Sequence, residues 1–328
     1  MNLNGKNVLV TGGTGMIGQQ LIKLLHKEGA NITVVSLDSP KIVPKNIKFL
    51  NLDLMDFNNC KTACKGIDVV FNLIGIKTSP KIIQEKPADI FVSYLRFNTN
   101  IIEAARQENV KWFLYVSTIG VYSPDEVMEE DSLWSGFPSK HDWYGGWAKR
   151  IGEMQLETYK IQYGLKNYSI VRPANVYGPY DDFSSTSMVI PSLIKRIYNK
   201  ENPFIVWGDG SSIRDFIYSE DVAKAMIFAV VNEINEPLNV GSGEGISIKE
   251  LVDTCISISE YSPDVIWDVE KPSGDKKRIL NTEKMKKYGF NPTTKLKDGL
   301  TETLNWYTVK SQFTENSRYN VFNTNVIL

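Results

Sequence analysis

Residues 8–25 constrain the fold of this chain more than any other stretch. They read Val-Leu-Val-Thr-Gly-Gly-Thr-Gly-Met-Ile-Gly-Gln-Gln-Leu-Ile-Lys-Leu-Leu. The apolar run at 8–10 predicts a buried parallel strand, and the apolar residues from Ile17 onward recur at helical spacing. A strand, a glycine-rich turn and a helix in this order are the context that a dinucleotide-binding motif requires. The alternative is a glycine-rich turn in another kind of α/β protein.

Each glycine of the turn has a separate predicted role. Gly12 makes the tight turn, Gly15 lets the backbone approach a pyrophosphate, and Gly18 lets the helix pack closely against the strand. The pyrophosphate would then bind the free N–H groups at the start of the helix, where Met16 and Ile17 stand. We therefore predict that NAD or NADP binds at this turn.

Composition narrows the class of protein by exclusion. The 328 residues carry 37 Lys and Arg against 38 Asp and Glu, so no overall charge favours a nucleic acid or a membrane surface. Three cysteines are too few for a disulfide framework. Because there are also only two histidines, we predict no metal site. No basic and apolar leader opens the sequence, and no apolar run approaches the ~18 residues that span a bilayer. We expect a soluble cytoplasmic protein.

Strand and helix patterns alternate through the first half of the chain. Apolar runs predict further strands at 32–37, 47–50, 69–73, 112–116 and 168–172, with helices at 98–109 and 147–163. This alternation predicts an α/β fold with a Rossmann-type, doubly wound parallel sheet and helical crossovers.

The pattern changes beyond Gly178, where prolines and the Gly208-Asp-Gly210 turn separate short elements. We predict that residues 1–178 form a dinucleotide-binding domain, to which 215–243 return with a helix at 216–231 and a strand at 238–240. Residues 179–214 and 244–310 are predicted to form a smaller C-terminal α/β domain that binds the substrate. The polar segment 311–328 is predicted to be a poorly ordered tail or a clasp.

Several ordered blocks resemble the extended short-chain dehydrogenase/reductase family, which contains nucleotide-sugar epimerases, dehydratases and reductases. The blocks are Thr11-Gly-Gly-Thr-Gly-Met-Ile-Gly18, Tyr115-Val-Ser-Thr-Ile-Gly-Val-Tyr122, Ala148-Lys-Arg150, Arg172-Pro-Ala-Asn-Val-Tyr-Gly-Pro179, Trp207-Gly-Asp-Gly210 and Arg214-Asp-Phe-Ile-Tyr218. The resemblance covers most of residues 7–307, and its motifs are most similar to those of GDP-fucose synthases. It implies an NAD(P)-dependent enzyme of nucleotide-sugar metabolism, and a homodimer built from helices at 90–108 and 147–163.

The glycine turn and the resemblance together indicate further cofactor residues. In such folds an acidic residue at the end of the second strand binds the adenosine ribose and favours NAD over NADP. Counted from the glycines, Ser36 holds that place and Asp38 follows two residues later, so Asp38 favours NAD, with NADP as the alternative. The residues that the resemblance places around the rest of the cofactor are Asp53, Leu54, Leu73, Ile74, Gly75, Pro173, Asn175 and Val176.

The family uses a Ser or Thr, a Tyr, and a Lys four residues after the Tyr. The Lys holds the nicotinamide ribose of the cofactor and lowers the pKa of the Tyr by its charge. Thr118, four residues before Tyr122, and Lys149 fit this pattern. Four residues before Lys149 stands Gly145, and Tyr144 is five residues away, about 140° around a regular helix. Tyr144 can serve only if the helix start bulges, which glycine would permit. Otherwise the chain has lost its acid/base or recruited another group.

The groups that family members use for dehydration or for double inversion are absent, since Gly120 and Tyr180 stand in their places. We therefore predict hydride transfer at the sugar C4, by a 4-ketoreductase or a 4-epimerase. A dinucleotide-binding sensor or scaffold without turnover is the alternative. The predicted substrate residues, two of them arginines that suit a diphosphate, are Thr118, Asn175, Trp207, Arg214 and Arg278.

Overall fold

The computed structural model describes residues 1–76, 85–124, 128–184, 187–271 and 273–314. The predicted tail begins within the last helix of this range, and residues 315–328 lie outside it. Among the described residues, no helix combines the length and the apolar character needed to cross a membrane.

Seven parallel strands form the central sheet. They are β1 (Asn7–Thr11), β2 (Asn31–Val35), β3 (Lys48–Leu50), β4 (Val69–Asn72), β5 (Trp112–Val116), β6 (Tyr168–Pro173) and β10 (Pro237–Val240). Their spatial order is β10-β6-β5-β4-β1-β2-β3. The strand order reverses between β1 and β4, and in such sheets ligands bind outside the carboxyl ends of the strands at this point.

Helices cover both faces of this sheet. Val8 and Val10 of β1 face a cluster with α1 (Met16–Lys27) and α6 (Ser219–Val231). Leu9, which points the other way, packs in a cluster with α2 (Phe57–Cys64), α3 (Pro87–Gln107) and α4 (Trp143–Tyr163). The strands are therefore apolar on both sides, which explains their continuous apolar runs. The predicted doubly wound α/β sheet is confirmed.

Two smaller sheets follow in the second half of the chain. In one, β9 (Ile213–Tyr218) pairs with β7 (Asn175–Tyr177), β11 (Gly245–Ser247) and β13 (Lys277–Arg278); in the other, β8 (Phe204–Trp207) pairs with β12 (Val265–Asp268). They pack with α5 (Val189–Tyr198), α7 (Ile248–Ser257) and α9 (Leu296–Thr314), and the short α8 (Glu283–Lys287) contacts β10. The domain boundaries expected from the sequence stay a prediction.

Three predicted helix starts are wrong. The helix predicted at 98–109 is α3, which begins at Pro87, and the one predicted at 147 is α4, which begins at Trp143. The helix predicted from 216 is α6, which begins at Ser219, because Phe216 still belongs to β9 and pairs with Asn175. The sheet, a tertiary contact, overrides the local helical pattern there.

Candidate active site

The glycine turn lies at the carboxyl end of β1, beside the end of β4. Gly12 has a φ of +63°, a left-handed conformation that residues with a side chain rarely adopt. A Cβ at this position would also lie 3.1 Å from the carbonyl oxygen of Leu73. Position 12 therefore requires glycine for the tight turn.

Gly18 and Gly15 differ in what surrounds them. A Cβ at Gly18 would lie 2.6 Å from the carbonyl oxygen of Gly12, so α1 can approach the turn only with glycine there. A Cβ at Gly15 would meet only that same oxygen, at 3.3 Å, and otherwise open space. Gly15 is the N-cap of α1, and no described side chain caps it. The turn thus offers uncapped N–H groups and an open side, which fit a pyrophosphate.

Met16 and Ile17 begin α1 directly after this turn. The side chain of Met16 is buried, and that of Ile17 packs against the core on the α1 face of the sheet. Both residues therefore have only their backbone groups to offer to a ligand.

Asp38 lies beyond the end of β2, close to the same turn. The hydroxyls of Thr14 and Ser36 are 3.0 Å apart, and Ser36 Oγ accepts a hydrogen bond from the Asp38 N–H at 3.1 Å. The half-buried Asp38 is thus linked to the glycine turn through two hydroxyl groups.

Asp53 and Leu54 follow β3 and have different surroundings. The half-buried Asp53 carboxylate accepts a hydrogen bond from the Met55 N–H at 2.9 Å. Leu54 is 3 % exposed and packs in the core on the α2 face of the sheet. Its side chain is therefore not presented to an adenine, and only its backbone is left for such a contact.

The other predicted cofactor residues lie at the end of β6 or in the segments that follow β4 and β6. Leu73 and Ile74 follow β4, and their N–H groups donate to the backbone oxygen and the hydroxyl of Thr11, at 3.3 and 3.2 Å. Gly75 comes next and is exposed, while Pro173 ends β6 and is buried. In β7, Val176 is half-buried and the Asn175 amide donates to the Asp215 backbone oxygen at 2.8 Å.

Lys149 of α4 connects two of these strand ends. Its ammonium group donates to the carbonyl oxygens of Val116 at 2.8 Å and Ile74 at 3.3 Å, and lies 4.9 Å from the ring centroid of Tyr115. Burial lowers the pKa of Lys149 to about 7, although the charge of Glu153 opposes the shift. The amine therefore changes its charge near neutral pH. It lies at the carboxyl ends of the strands, where the glycine turn also lies.

Tyr144 is the second residue of α4. The start of this helix is regular, and the Gly146 N–H donates to the Asp142 backbone oxygen at 2.7 Å. The Tyr144 ring is 36 % exposed and makes an edge contact with Phe91 of α3, with 6.4 Å between ring centroids. The bulge on which the predicted role of Tyr144 depends is not formed, so the two residues stand about 140° apart around a regular helix.

The two glycines after Tyr144 have different environments. A Cβ at Gly146 would lie 2.4 Å from the carbonyl oxygen of Gly120 and 2.8 Å from Cβ of Pro138, so α4 touches bare backbone there. A Cβ at Gly145 would meet nothing within 4 Å. A side chain four residues before Lys149 would therefore fit without a backbone change.

Thr118 lies two residues beyond β5 and is half-buried. Its Oγ accepts a hydrogen bond from the Gly120 N–H at 3.1 Å and caps a single 3-10 turn, Ile119–Val121. The cap uses the oxygen only as an acceptor, so the hydroxyl proton stays available to a substrate oxygen.

Arg214 and Arg278 stand opposite each other in β9 and β13. The Arg278 Nη1 donates to Oδ2 of Asp142 at 2.6 Å and lies 3.8 Å from the Asp275 carboxylate. Arg278 is 8 % exposed, and its Nε has no hydrogen-bond partner among the described residues. Burial and the charge of Arg278 lower the pKa of Arg214, whose Nη2 lies 3.5 Å from the Ser273 backbone oxygen. The two predicted arginines are thus brought together with two carboxylates.

Trp207 lies in β8 of the other small sheet. It is 62 % exposed, on the same face of that sheet as Ile205 and opposite to the buried Val206. The ring is therefore open to a ligand, and its role as a substrate residue stays a prediction.

Sequence reasoning missed two carboxylates of this site. Asp142 is seven residues before Lys149, two helical turns, and this spacing was the available signal. Glu153, one turn after Lys149, accepts hydrogen bonds from Ser117 Oγ at 2.5 Å and from Arg172 Nη2 at 2.6 Å. Its buried partner Arg172 comes from another strand, which spacing alone does not reveal.

Comparison with known proteins agrees with this arrangement. The sequence profile of the NAD dependent epimerase/dehydratase family matches residues 8–241. A probable GDP-L-fucose synthase of Oryza sativa subsp. japonica is 29 % identical over 317 residues, which are 92 % of this chain and 92 % of the relative.

Solved structures give the same result. The UDP-glucose 4-epimerase of Thermotoga maritima, determined with UDP-glucose, has a TM-score of 0.82 and 27 % identity, covering 93 % of this chain and 99 % of its own. The UDP-glucose 4-epimerase of Thermus thermophilus, determined with NAD, has a TM-score of 0.81 and 27 % identity, covering 92 % and 99 %. The chain belongs to the NAD dependent epimerase/dehydratase family.

Proposed function

We propose that the chain is an NAD(P)-dependent enzyme that transfers hydride at C4 of a nucleoside-diphosphate sugar, as a 4-ketoreductase or a 4-epimerase. The observation that carries the proposal is the place of Lys149, whose ammonium lies between the ends of β4 and β5 with Thr118 two residues beyond β5. The related sequences and structures named above as nucleotide-sugar enzymes support the substrate class.

A bound nicotinamide dinucleotide would supply the hydride acceptor or donor. The uncapped N-terminus of α1 with Gly15 would hold its pyrophosphate, and Asp38 would hold its adenosine ribose. The Thr118 hydroxyl would hydrogen-bond the sugar oxygen at C4. Arg214 and Arg278 would bind the diphosphate, because a guanidinium group pairs bidentately with phosphate oxygens.

The test is incubation of the protein with reduced cofactor and a panel of GDP-, UDP-, CDP- and dTDP-4-keto sugars in heavy water. We expect at least one of these sugars to be reduced at C4, which the loss of absorbance of the reduced cofactor measures. We expect no deuterium at C3 or C5 of the product. Enzyme-dependent deuterium at C3 or C5 would contradict the restriction to C4, and no turnover of any sugar would contradict the proposal.

The open side of Gly15 gives a sharp test of the cofactor site. We expect Gly15→Val to abolish binding of NAD(H), because its side chain would fill the space of the pyrophosphate. Ser257→Val, at an exposed position of α7, is the control for an added branched side chain outside the glycine turn. Calorimetric titration that finds equal affinity in Gly15→Val and wild type contradicts the assignment. Tighter binding of NADP than of NAD contradicts the preference attributed to Asp38.

We also propose that the chain is a homodimer that uses α3 and α4. On α4, Met154 is 44 % exposed and Ile161 is 78 % exposed, seven residues apart and so on one face of the helix. We expect light scattering to give about twice the 37.1 kDa mass of the chain. Met154→Glu should shift the mass towards the monomer, whereas Val269→Glu, at a 64 % exposed residue directly after β12, should not. A monomeric mass of the wild type at micromolar concentration contradicts the dimer.

A second candidate function is dinucleotide binding without turnover. The observation that favours it is the regular start of α4, which leaves Gly145, a residue without a phenol, four residues before Lys149. Cofactor binding without turnover of any sugar in the panel would favour this candidate over the enzyme.

A further inference from the structure

The proposed reaction needs a proton carrier near the C4 oxygen, and three nearby groups are unsuited to that role. Tyr144 is turned towards Phe91, and the ammonium of Lys149 donates to two backbone oxygens. The Tyr94 hydroxyl is bonded to the N–H and the carbonyl of Ile76, and burial raises the pKa of Tyr94 to about 12. We propose that Asp142 is the proton carrier of the site, a role that rests on the function proposed above.

Asp142 does not play the ordinary part of an aspartate at the start of a helix. It is the N-cap residue of α4, where an aspartate typically accepts hydrogen bonds from the first N–H groups of the helix. Here the side chain makes no such bond. Its carboxylate is instead directed away from its own helix, to Gly120 and Arg278.

The contact with Gly120 places the carboxylate against the turn that Thr118 caps. A Cβ at Gly120 would lie 3.2 Å from Cβ and 3.3 Å from Oδ2 of Asp142, so the carboxylate takes the space that a side chain at residue 120 would fill. The Gly120 N–H in turn is bonded to the Thr118 hydroxyl at 3.1 Å. The carboxylate and the hydroxyl therefore flank the same peptide segment.

Asp142 also shares a helix face with Lys149. Asp142 stands directly before the first residue of α4, seven residues or two helical turns before Lys149, so the two Cα atoms lie on the same side of the helix. Between them on this face stand Gly145 and Gly146, which have no side chains to separate them from a ligand.

Arg278 fixes the orientation of this carboxylate. The bond from its Nη1 to Asp142 Oδ2 is 2.6 Å, a charge-assisted length, and the guanidinium is nearly buried. The Asp142 side chain is nevertheless 36 % exposed, so a substrate can reach it. A fixed but accessible carboxylate is suited to exchange a proton with a bound hydroxyl.

In the oxidising direction, the C4–H bond would break and its electron pair would leave with the hydrogen, as hydride, to an oxidised nicotinamide. The O–H bond of the C4 hydroxyl breaks, its proton passes to the Asp142 carboxylate, and C4 and its oxygen become a ketone. Reduction follows the same path in reverse, with the proton returning from Asp142.

The first test is Asp142→Asn, which keeps the size of the side chain and removes its basicity. We expect kcat to fall about 10²–10⁴-fold, the usual contribution of a general acid or base, with cofactor affinity unchanged within threefold. Asp275→Asn is the matched control. Asp275 also lies near the Arg278 guanidinium, 3.8 Å away, and is held by the Ser139 hydroxyl at 2.7 Å. Equal losses in both variants would mean that only the pairing of Arg278 matters, and would overturn the proposal.

A second variant tests the role by rescue. In the Asp142→Asn background, Gly145→Tyr places a phenol four residues before Lys149, where a Cβ meets open space. We expect Gly145→Tyr to raise kcat at least tenfold above that of Asp142→Asn alone, and Gly145→Phe to leave it unchanged. Full activity of Asp142→Asn overturns the role of Asp142 and leaves the proposed function standing. A wild type that turns over no nucleotide sugar overturns both.

Discussion

Glu153→Gln is expected to lower the free energy of unfolding by about 3–5 kcal/mol, the usual effect of removing one partner of a buried ion pair. Glu153 Oε2 and Arg172 Nη2 are 2.6 Å apart, and their side chains are 4 % and 2 % exposed. Glutamine keeps the shape of the side chain but removes its charge. The guanidinium would then stay buried without a counter-charge.

Loss of the Glu153–Arg172 pair should also affect the proposed active site, because the pair is bonded to residues on both sides of Thr118. Ser117, the residue before Thr118, donates to Glu153 at 2.5 Å, and Arg172 Nη1 donates to the Tyr122 hydroxyl at 2.6 Å. The pair therefore ties the end of β5 and its continuation to α4 and β6. Loss of the charge should loosen the segment that carries Thr118.

Urea denaturation of wild type and Glu153→Gln measures the change in the free energy of unfolding. Glu157→Gln is the matched control, because Glu157 lies one turn further along the same helix and is exposed. We expect the control to stay within about 0.5 kcal/mol of wild type. A value for Glu153→Gln within 1 kcal/mol of the control would show that the buried pair contributes little.

The sheet could be predicted from the sequence because its signals are local. A strand buried on both faces is an apolar run, and β5 has the bounds 112–116 that its run predicts. The turn after β1 was predictable for the same reason. Its glycines stand at fixed spacing, and the structural needs of Gly12 and Gly18 arise within one strand, one turn and one helix.

The start of α4 was not predictable in this way. Two glycines at 145 and 146 weaken a helical pattern, so the sequence favours a start at residue 147. In the structure Gly146 is needed because α4 contacts the backbone of Gly120 and the ring of Pro138. The need for glycine at residue 146 comes from a contact with another segment of the chain. The helical spacing of apolar residues does not reveal such a contact.

The residues of the candidate site also fall into two groups, those found from local motifs and those that only the fold brings together. Lys149 and Thr118 were found by a motif whose residues are close in sequence. The bond between Arg278 and Asp142 joins residues 136 positions apart, and only the fold brings them together. Asp142 alone could have been singled out from sequence, because its distance of seven residues from Lys149 places both on one helix face.

Lys149→Met is expected to make the protein more stable than wild type at pH 6, and this advantage should shrink as the pH rises. Burial lowers the pKa of Lys149 to about 7 in the folded protein, whereas an unfolded lysine titrates near ~10.4. Below pH 7 both states carry the proton, and folding buries a charge. Between the two pKa values only the unfolded state keeps the proton, so the stability of wild type rises with pH.

The size of the effect follows from the two pKa values. Each pH unit between them changes the stability difference by about 1.4 kcal/mol, so the difference should narrow by about 2–3 kcal/mol between pH 7 and pH 9. Urea denaturation of both proteins at several pH values measures it, with Lys160→Met, at an exposed position of the same helix, as the control for loss of one charge. A difference that does not change with pH would mean that Lys149 keeps its proton in the folded protein. The buried amine would then be a fixed charge, and the site would hold its ligands without a group that titrates near neutral pH.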